Sequence, residues 1–138
     1  MGDNEKILEW FVFADRDLAA AEFLLGMRPQ PLEIICYQCQ QSAEKYLKGY
    51  LKCQGMSDPP KIHDLPTLLL LCMPYDSSFD SIKWPCAVLT QYGTQPRYPD
   101  EVYIDEALMH RALDCARQIK NFAPMQHARA QLEQSSKE

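Results

Sequence analysis

An all-α protein, an up-and-down antiparallel bundle of four main helices plus a short one, is predicted by three observations. Apolar residues recur at helical spacing through two long proline-free stretches, Asp3 to Leu25 and Leu32 to Gln54. Connections between periodic segments are short and rich in Pro and Gly, which places successive helices antiparallel. Strand alternation and hairpin turn pairs are missing throughout.

Asp3 or Asn4 is positioned to cap the first helix, which the stripe Ile7, Phe11, Ala14, Leu18, Ala21 and Leu25 carries to about Leu25. Val12 and Phe23 fall outside that stripe, either as incidental exposed apolar residues or as a second face suited to a partner. Gly26, Pro29 and Pro31 end this helix and open the next. In the stretch Leu32 to Gln54, Leu32, Cys36, Cys39, Ala43, Leu47, Tyr50 and Leu51 share one arc, widened by Ile35 and Tyr46. Lys45, Lys48 and Lys52 occupy the opposite side. Gln40 interrupts the arc, with Glu44 and Tyr37 along the same edge. A buried amide must find hydrogen-bond partners, so a polar seam is expected beside this helix, whether it serves a ligand or only satisfies the backbone.

After the turn SDPPK, Asp64 is a natural N-cap and Pro66 fits the first turn of a short helix, Leu65 to Met73. His63, just before it, reads either as a capping or packing residue or as a base. Phe79 to Tyr92 reads as a fourth helix, kinked or started late by Pro85. The loop GTQPRYPDEVY (93–103) gathers Arg97, Tyr98, Asp100, Glu101 and Tyr103, and loops on a rigid scaffold commonly hold binding groups. Asp105 can cap a last helix through Leu108, Ala112, Cys115, Ile119 and Phe122, stopped or bent at Pro124. The expected domain is therefore 1–124, followed by a polar tail, 125–138, that frays.

Composition narrows the function classes. Of 138 residues, 46% are hydrophobic and 24% charged, the balance of an ordinary soluble domain, and the net charge of −5 argues against a broadly basic nucleic-acid surface. No apolar run reaches the roughly 18 residues of a membrane span, and MGDNEK has no signal-peptide pattern, so a cytoplasmic location is expected. The six cysteines, Cys36, Cys39, Cys53, Cys72, Cys86 and Cys115, stand mostly at apolar helical positions and read as reduced packing thiols. Cys36-x-x-Cys39 lies inside a helix, and no second pair supplies further ligands, so neither a metal nor a cofactor is expected.

Three stretches together resemble HEPN-domain proteins (higher eukaryotes and prokaryotes nucleotide-binding): WFVFADRDLAAAEFLL (10–25), ICYQCQQSAEKYLKGYL (35–51) with HDL (63–65), and YGTQPRYPDE (92–101). The resemblance implies a four-helix bundle with one short helix, commonly a homodimer. Small proteins of this kind are often encoded beside a minimal nucleotidyltransferase in toxin–antitoxin pairs. There the HEPN partner is typically a metal-independent ribonuclease with the signature Arg, four to six residues, His. Arg97 is the best match to that arginine, but YPDEVY follows it and Tyr103 stands where the histidine could be. Arg111 and Arg117 lack the histidine as well, and His110 precedes Arg111. Cleavage through a 2′-hydroxyl needs a group titrating near neutrality, which an unperturbed tyrosine is not.

Three functions follow from the resemblance and its departure. The favoured one is a non-catalytic, dimeric module binding a nucleotide and/or a partner nucleotidyltransferase. Arg97 would hold phosphate, Tyr98 or Tyr103 would stack on a base, and Gln40 and Glu44 would orient the arginine. The alternative is a ribonuclease toxin in which Arg97 stabilises the transition state and His63 or Tyr103 moves the proton. The third is a scaffold whose polar seam only fixes a dimer.

Overall fold

A computed structural model describes residues 2–94 and 103–137. Among them all regular structure is helical, in six α-helices: α1 (Gly2–Phe23), α2 (Leu32–Cys53), α3 (Leu65–Cys72), α4 (Lys83–Thr90), α5 (Glu106–Lys120) and α6 (Ala123–Lys137). Short 3-10 turns follow α1 (Leu24–Gly26) and precede α4 (Ser77–Ile82).

The second helix is the hub. It packs against α1, α3, α4, α5 and α6, so it is enclosed on most of its circumference, as its wide apolar arc predicts. Its buried residues include all the predicted core positions from Ile35 through Leu51. Helices α1 and α2 run antiparallel: Trp10 and Phe11 lie against Gly49, Asp15 against Tyr46, and Asp17 against Lys45. Gly49 permits that approach. A Cβ there would stand 3.1 Å from the Trp10 Cβ and 3.3 Å from two atoms of the Phe11 ring. A glycine inside a helix normally weakens it, so close packing is its physical reason here. At the other end of the core, the Phe79 ring lies between Tyr50 and Phe122 with centroids 4.5 and 4.9 Å away.

Two cap expectations hold and two boundaries move. Asp64 accepts from the Thr67 amide at 3.1 Å, and Asp105 accepts from Leu108 at 2.8 Å. By contrast, Asp3 and Asn4 lie inside α1 rather than capping it. The helix expected over Phe79–Tyr92 is divided: a 3-10 turn begins where Asp76 caps Ser78 at 2.9 Å, and α4 proper starts at Lys83. Pro85 then falls in the first turn of α4, where its missing amide breaks no hydrogen bond.

The stretch expected as a fraying tail is α6. Pro124 starts this helix instead of stopping the previous one, being placed in its first turn. Met125, Ala128 and Leu132, at spacings of three and four, are buried. A polar clasp reinforces them. Arg129 donates to Asp15 on α1 at 2.7 Å and to Glu133 at 3.0 Å, while the Tyr46 hydroxyl of α2 donates to the same Asp15 carboxylate. Burial alone would push the Asp15 carboxyl up. Hydrogen bonds from Arg129 and Tyr46, with the charges of Arg129 and Lys120, hold it below its ordinary value instead.

All six cysteines are free thiols, five of them buried and Cys53 partly so. Burial pushes Cys36, Cys53, Cys72 and Cys86 up to about 12, which suits packing side chains and disfavours thiolates. Among the described residues no helix is long and apolar enough to cross a membrane.

Candidate functional site

The polar seam expected beside α2 is present and more highly charged than its sequence suggests. Gln40 is fully buried. Its amide donates to the His63 backbone carbonyl at 2.9 Å and to Glu44 Oε1 at 3.3 Å, and its own oxygen accepts from Gln41 Nε2 at 2.7 Å. The buried glutamine has therefore found partners for both ends of its amide, as burial requires.

One turn further along, Glu44 is buried too. Its two oxygens are divided between cationic or potentially cationic partners. Oε2 accepts from Lys48 Nζ at 3.1 Å, and Oε1 lies 2.8 Å from His63 Nδ1. Lys48 was expected on the solvent side of α2 with Lys45 and Lys52. Instead it is buried against Glu44, its relative four residues back. A carboxylate inside the fold attracts the nearest ammonium, and the i,i+4 spacing delivers one without any change of backbone.

His63 is neither a cap nor a packing residue. Its ring is 64% exposed and, among the described residues, is held through Nδ1 alone, while Asp64 performs the capping. The Asp64–Thr90 contact ties the start of α3 to the end of α4: Thr90 Oγ1 donates to Asp64 at 3.3 Å and accepts from the Leu65 amide at 3.0 Å. Above these groups lies an open hollow of about 220 Å3, lined by His63, Asp64, Thr90, Gln91, Gly93 and Thr94. Gly93 lies beside the seam, since a Cβ there would stand 3.5 Å from Gln40 Nε2.

Three of the predicted positions, Gln40, Glu44 and His63, are thus joined by hydrogen bonds, and His63 lines the hollow at the point where the chain enters the loop singled out in the sequence. Arg97 and Tyr98 lie outside the described residues. Tyr103, just after that segment, is 84% exposed. Chemically, the arrangement is a buried carboxylate held to Nδ1 of a mostly exposed imidazole, with a buried amide on the backbone carbonyl of the same histidine. Such a set can bind and orient a cationic or hydrogen-bonding group, and it can hold an imidazole in one tautomer. Among the described residues no group of three or more His, Cys, Asp or Glu side chains is arranged to hold a metal.

An all-helical bundle built round one buried central helix, with a polar seam opening between the ends of two short helices, is the class of protein that fold and site define. The HEPN domain model matches residues 7–127, nearly the whole bundle, and the chain belongs to the HEPN family. The crystal structure of an archaeal HEPN homologue is similar at a TM-score of 0.66 and 26% identity, covering 91% of this chain and 97% of that one. Comparison with functionally curated proteins finds no match.

Proposed function

We propose that this HEPN protein is a non-catalytic, dimeric module that binds a nucleotide, or a nucleotidyltransferase partner, at the mouth of the Gln40–Glu44 seam. The observation that carries this reading is the buried Glu44 carboxylate bonded to His63, which lines a hollow that also includes Thr94, three residues before Arg97 in the chain. A guanidinium bound to phosphate gains from a nearby carboxylate that fixes its orientation. Arg97 would be the phosphate ligand, Tyr98 or the exposed Tyr103 the stacking group, and Gln40 and Glu44 the groups that position the arginine. No histidine follows Arg97 at four to six residues, which favours binding over cleavage. Val12 and Phe23, both exposed, offer apolar area for a second copy.

A second reading rests on one specific contact. Glu44 holds His63 through Nδ1 at 2.8 Å, and the ring is mostly exposed, the arrangement of an imidazole kept ready for proton transfer. That contact supports a ribonuclease in which Arg97 and His63 act together on RNA.

Titration with adenine and guanine nucleotides separates the two. Binding is expected with dissociation constants on the order of 10 µM to 1 mM. Arg97→Ala is expected to weaken it by about 1.5–3 kcal/mol with helical content unchanged. His63→Ala is expected to leave nucleotide affinity intact. Metal-free RNA degradation by the wild type, lost in both Arg97→Ala and His63→Ala, would replace the binder with the ribonuclease. Light scattering checks the dimer: a monomer at tens of micromolar, a concentration typical of specific association, removes the shared-cleft arrangement.

A further inference from the structure

The face of α1 that packs neither into the core nor against α6 carries a second set of groups that this nucleotide reading does not use. Lys6, Glu9, Trp10, Phe13 and Arg16 recur at spacings of three and four and so share one side of the helix. Phe13 is 49% exposed and Trp10 is half-buried. A basic group lies over each ring: Arg16 Cζ stands 5.1 Å from the Phe13 centroid, and Lys52 Nζ of α2 stands 6.0 Å from that of Trp10.

Two hollows adjoin along this side. One, of about 230 Å3, is lined by Lys6, Glu9, Trp10, Phe13 and Lys45. The next, of about 340 Å3, shares Lys6 and reaches Lys52, Gly55 and Ser57. They form a trough between α1 and the C-terminal half of α2. Lys45 is paired with Asp17 at 2.5 Å. Among the described residues Lys6, Arg16 and Lys52 have no carboxylate partner, and Lys52 donates to the Ser57 carbonyl at 2.8 Å. Four basic groups stand here against Asp3, Glu9 and Asp17, in a chain with 14 basic and 19 acidic residues. The local sign is the reverse of the whole.

We propose that this trough binds a single-stranded nucleic acid, with bases stacked on Trp10 and Phe13 and phosphates met by Lys6, Arg16 and Lys52. Accessible aromatic faces beside unpaired ammonium groups are the combination that holds single strands without reading sequence. Glu9 is placed to accept from an exocyclic amine of a base. An acidic amphipathic peptide would match the charges. It would, however, need a row of apolar anchors over two turns, and the trough presents only two rings. Among the described residues the trough shares no lining residue with the hollow at His63, and its binding does not depend on the nucleotide reading.

Trp10 supplies the readout. Trp84 is the only other tryptophan, so Trp84→Phe leaves Trp10 as the sole indole. Titrating the full chain carrying Trp84→Phe with oligoadenylate and oligouridylate 12-mers at low salt should give saturable quenching of its emission. Added Lys6→Glu with Lys52→Glu should weaken binding at least tenfold with unchanged circular dichroism, Phe13→Ala should weaken it severalfold, and affinity should fall steeply with salt. Arg97→Ala should leave this quenching in place, which separates failure here from failure at the seam. The proposal is overturned if neither oligomer quenches, if the charge reversals leave affinity unchanged, if Arg97→Ala abolishes the signal, or if polyglutamate binds and the oligomers do not.

Discussion

Replacing Glu44 with glutamine keeps the shape of the side chain and removes the charge on which Lys48 and His63 converge. In the folded protein Lys48 Nζ lies 3.1 Å and His63 Nδ1 2.8 Å from the two carboxylate oxygens, with Gln40 Nε2 at 3.3 Å. A glutamine can still accept from Lys48 with its one oxygen and donate to a neutral His63, but its amide nitrogen then stands where Oε1 accepted from Gln40, and that bond is lost. The loss is the charge-assisted part of each bond, together with the desolvation of an ammonium left without its counter-charge. Complete removal of a partner from a buried pair costs ~3–5 kcal/mol, and isolated charged hydrogen bonds ~1.5–3. Because one oxygen remains to accept from Lys48, we expect about 1.5–3 kcal/mol for Glu44→Gln. That corresponds to a fall in Tm of very roughly 4 °C per kcal/mol for a chain of this size. Lys48→Met, alone and combined with Glu44→Gln, completes a double-mutant cycle followed by far-ultraviolet circular dichroism in urea. The two changes should be coupled by about 1–2 kcal/mol, with the double variant less damaged than the sum. If Glu44→Gln costs under ~0.5 kcal/mol, or if the two losses simply add, the seam does not hold the charge pair described above.

Gly49→Ala gains up to ~1 kcal/mol of helix propensity but presses a methyl against Trp10 and Phe11, an overpacking cost of ~1–3 kcal/mol. A net loss in urea stability is expected, and a more stable variant would show that α1 can move away freely. For the α6 clasp, the Asp15 carboxyl is held below its ordinary value, so its contribution is fully present above the unfolded value of about 3.9 and is lost as pH falls through the lower folded value. The stability gap between wild type and Asp15→Asn should accordingly be constant near neutrality and close in acid; a gap that widens below pH ~4 contradicts the ion pairing. In the native protein a disulfide reagent at mildly alkaline pH should modify the buried thiols slowly, Cys53 first. Rapid modification of Cys36 or Cys39 would mean that their surroundings open far more readily than their burial implies.

Much of this architecture is written in α2, whose apolar arc is continuous enough to declare a central helix and whose single interruption, Gln40, announces the seam. Lys48 was missed because a lysine on a polar face is ordinarily solvated; its spacing of four from Glu44 was the available signal. Pro124 misled because proline is equally at home after one helix and in the first turn of another. Met125, Ala128 and Leu132 carry the periodicity that decides between them. The Glu44–His63 contact was beyond reach: two residues 19 positions apart meet only because α3 is anchored where it is. The caps at Asp64 and Asp105 were legible because they depend on neighbours three residues away and on nothing else.

The full use of the Gln40 amide links two loops that are distant in sequence. One of its protons grips the residue just before α3, the other is given to Glu44, its oxygen accepts from Gln41, and a Cβ on Gly93, just after α4, would stand 3.5 Å from its nitrogen. Both amide protons are committed, one to the His63 carbonyl and the other to Glu44, so a shift of the residue before α3 disturbs a bonded, buried donor. A guest that displaced His63 from its carbonyl tether would leave a buried donor unsatisfied beside Gly93, at a cost of about 1–3 kcal/mol. If a ligand engaging the chain beyond Gly93 shifts this amide and so changes the affinity for a guest at His63, thermodynamic reciprocity requires that the guest change the affinity for that ligand by the same factor. A single side chain, invisible from the surface, is in this sense a coupling element between the two edges of the hollow.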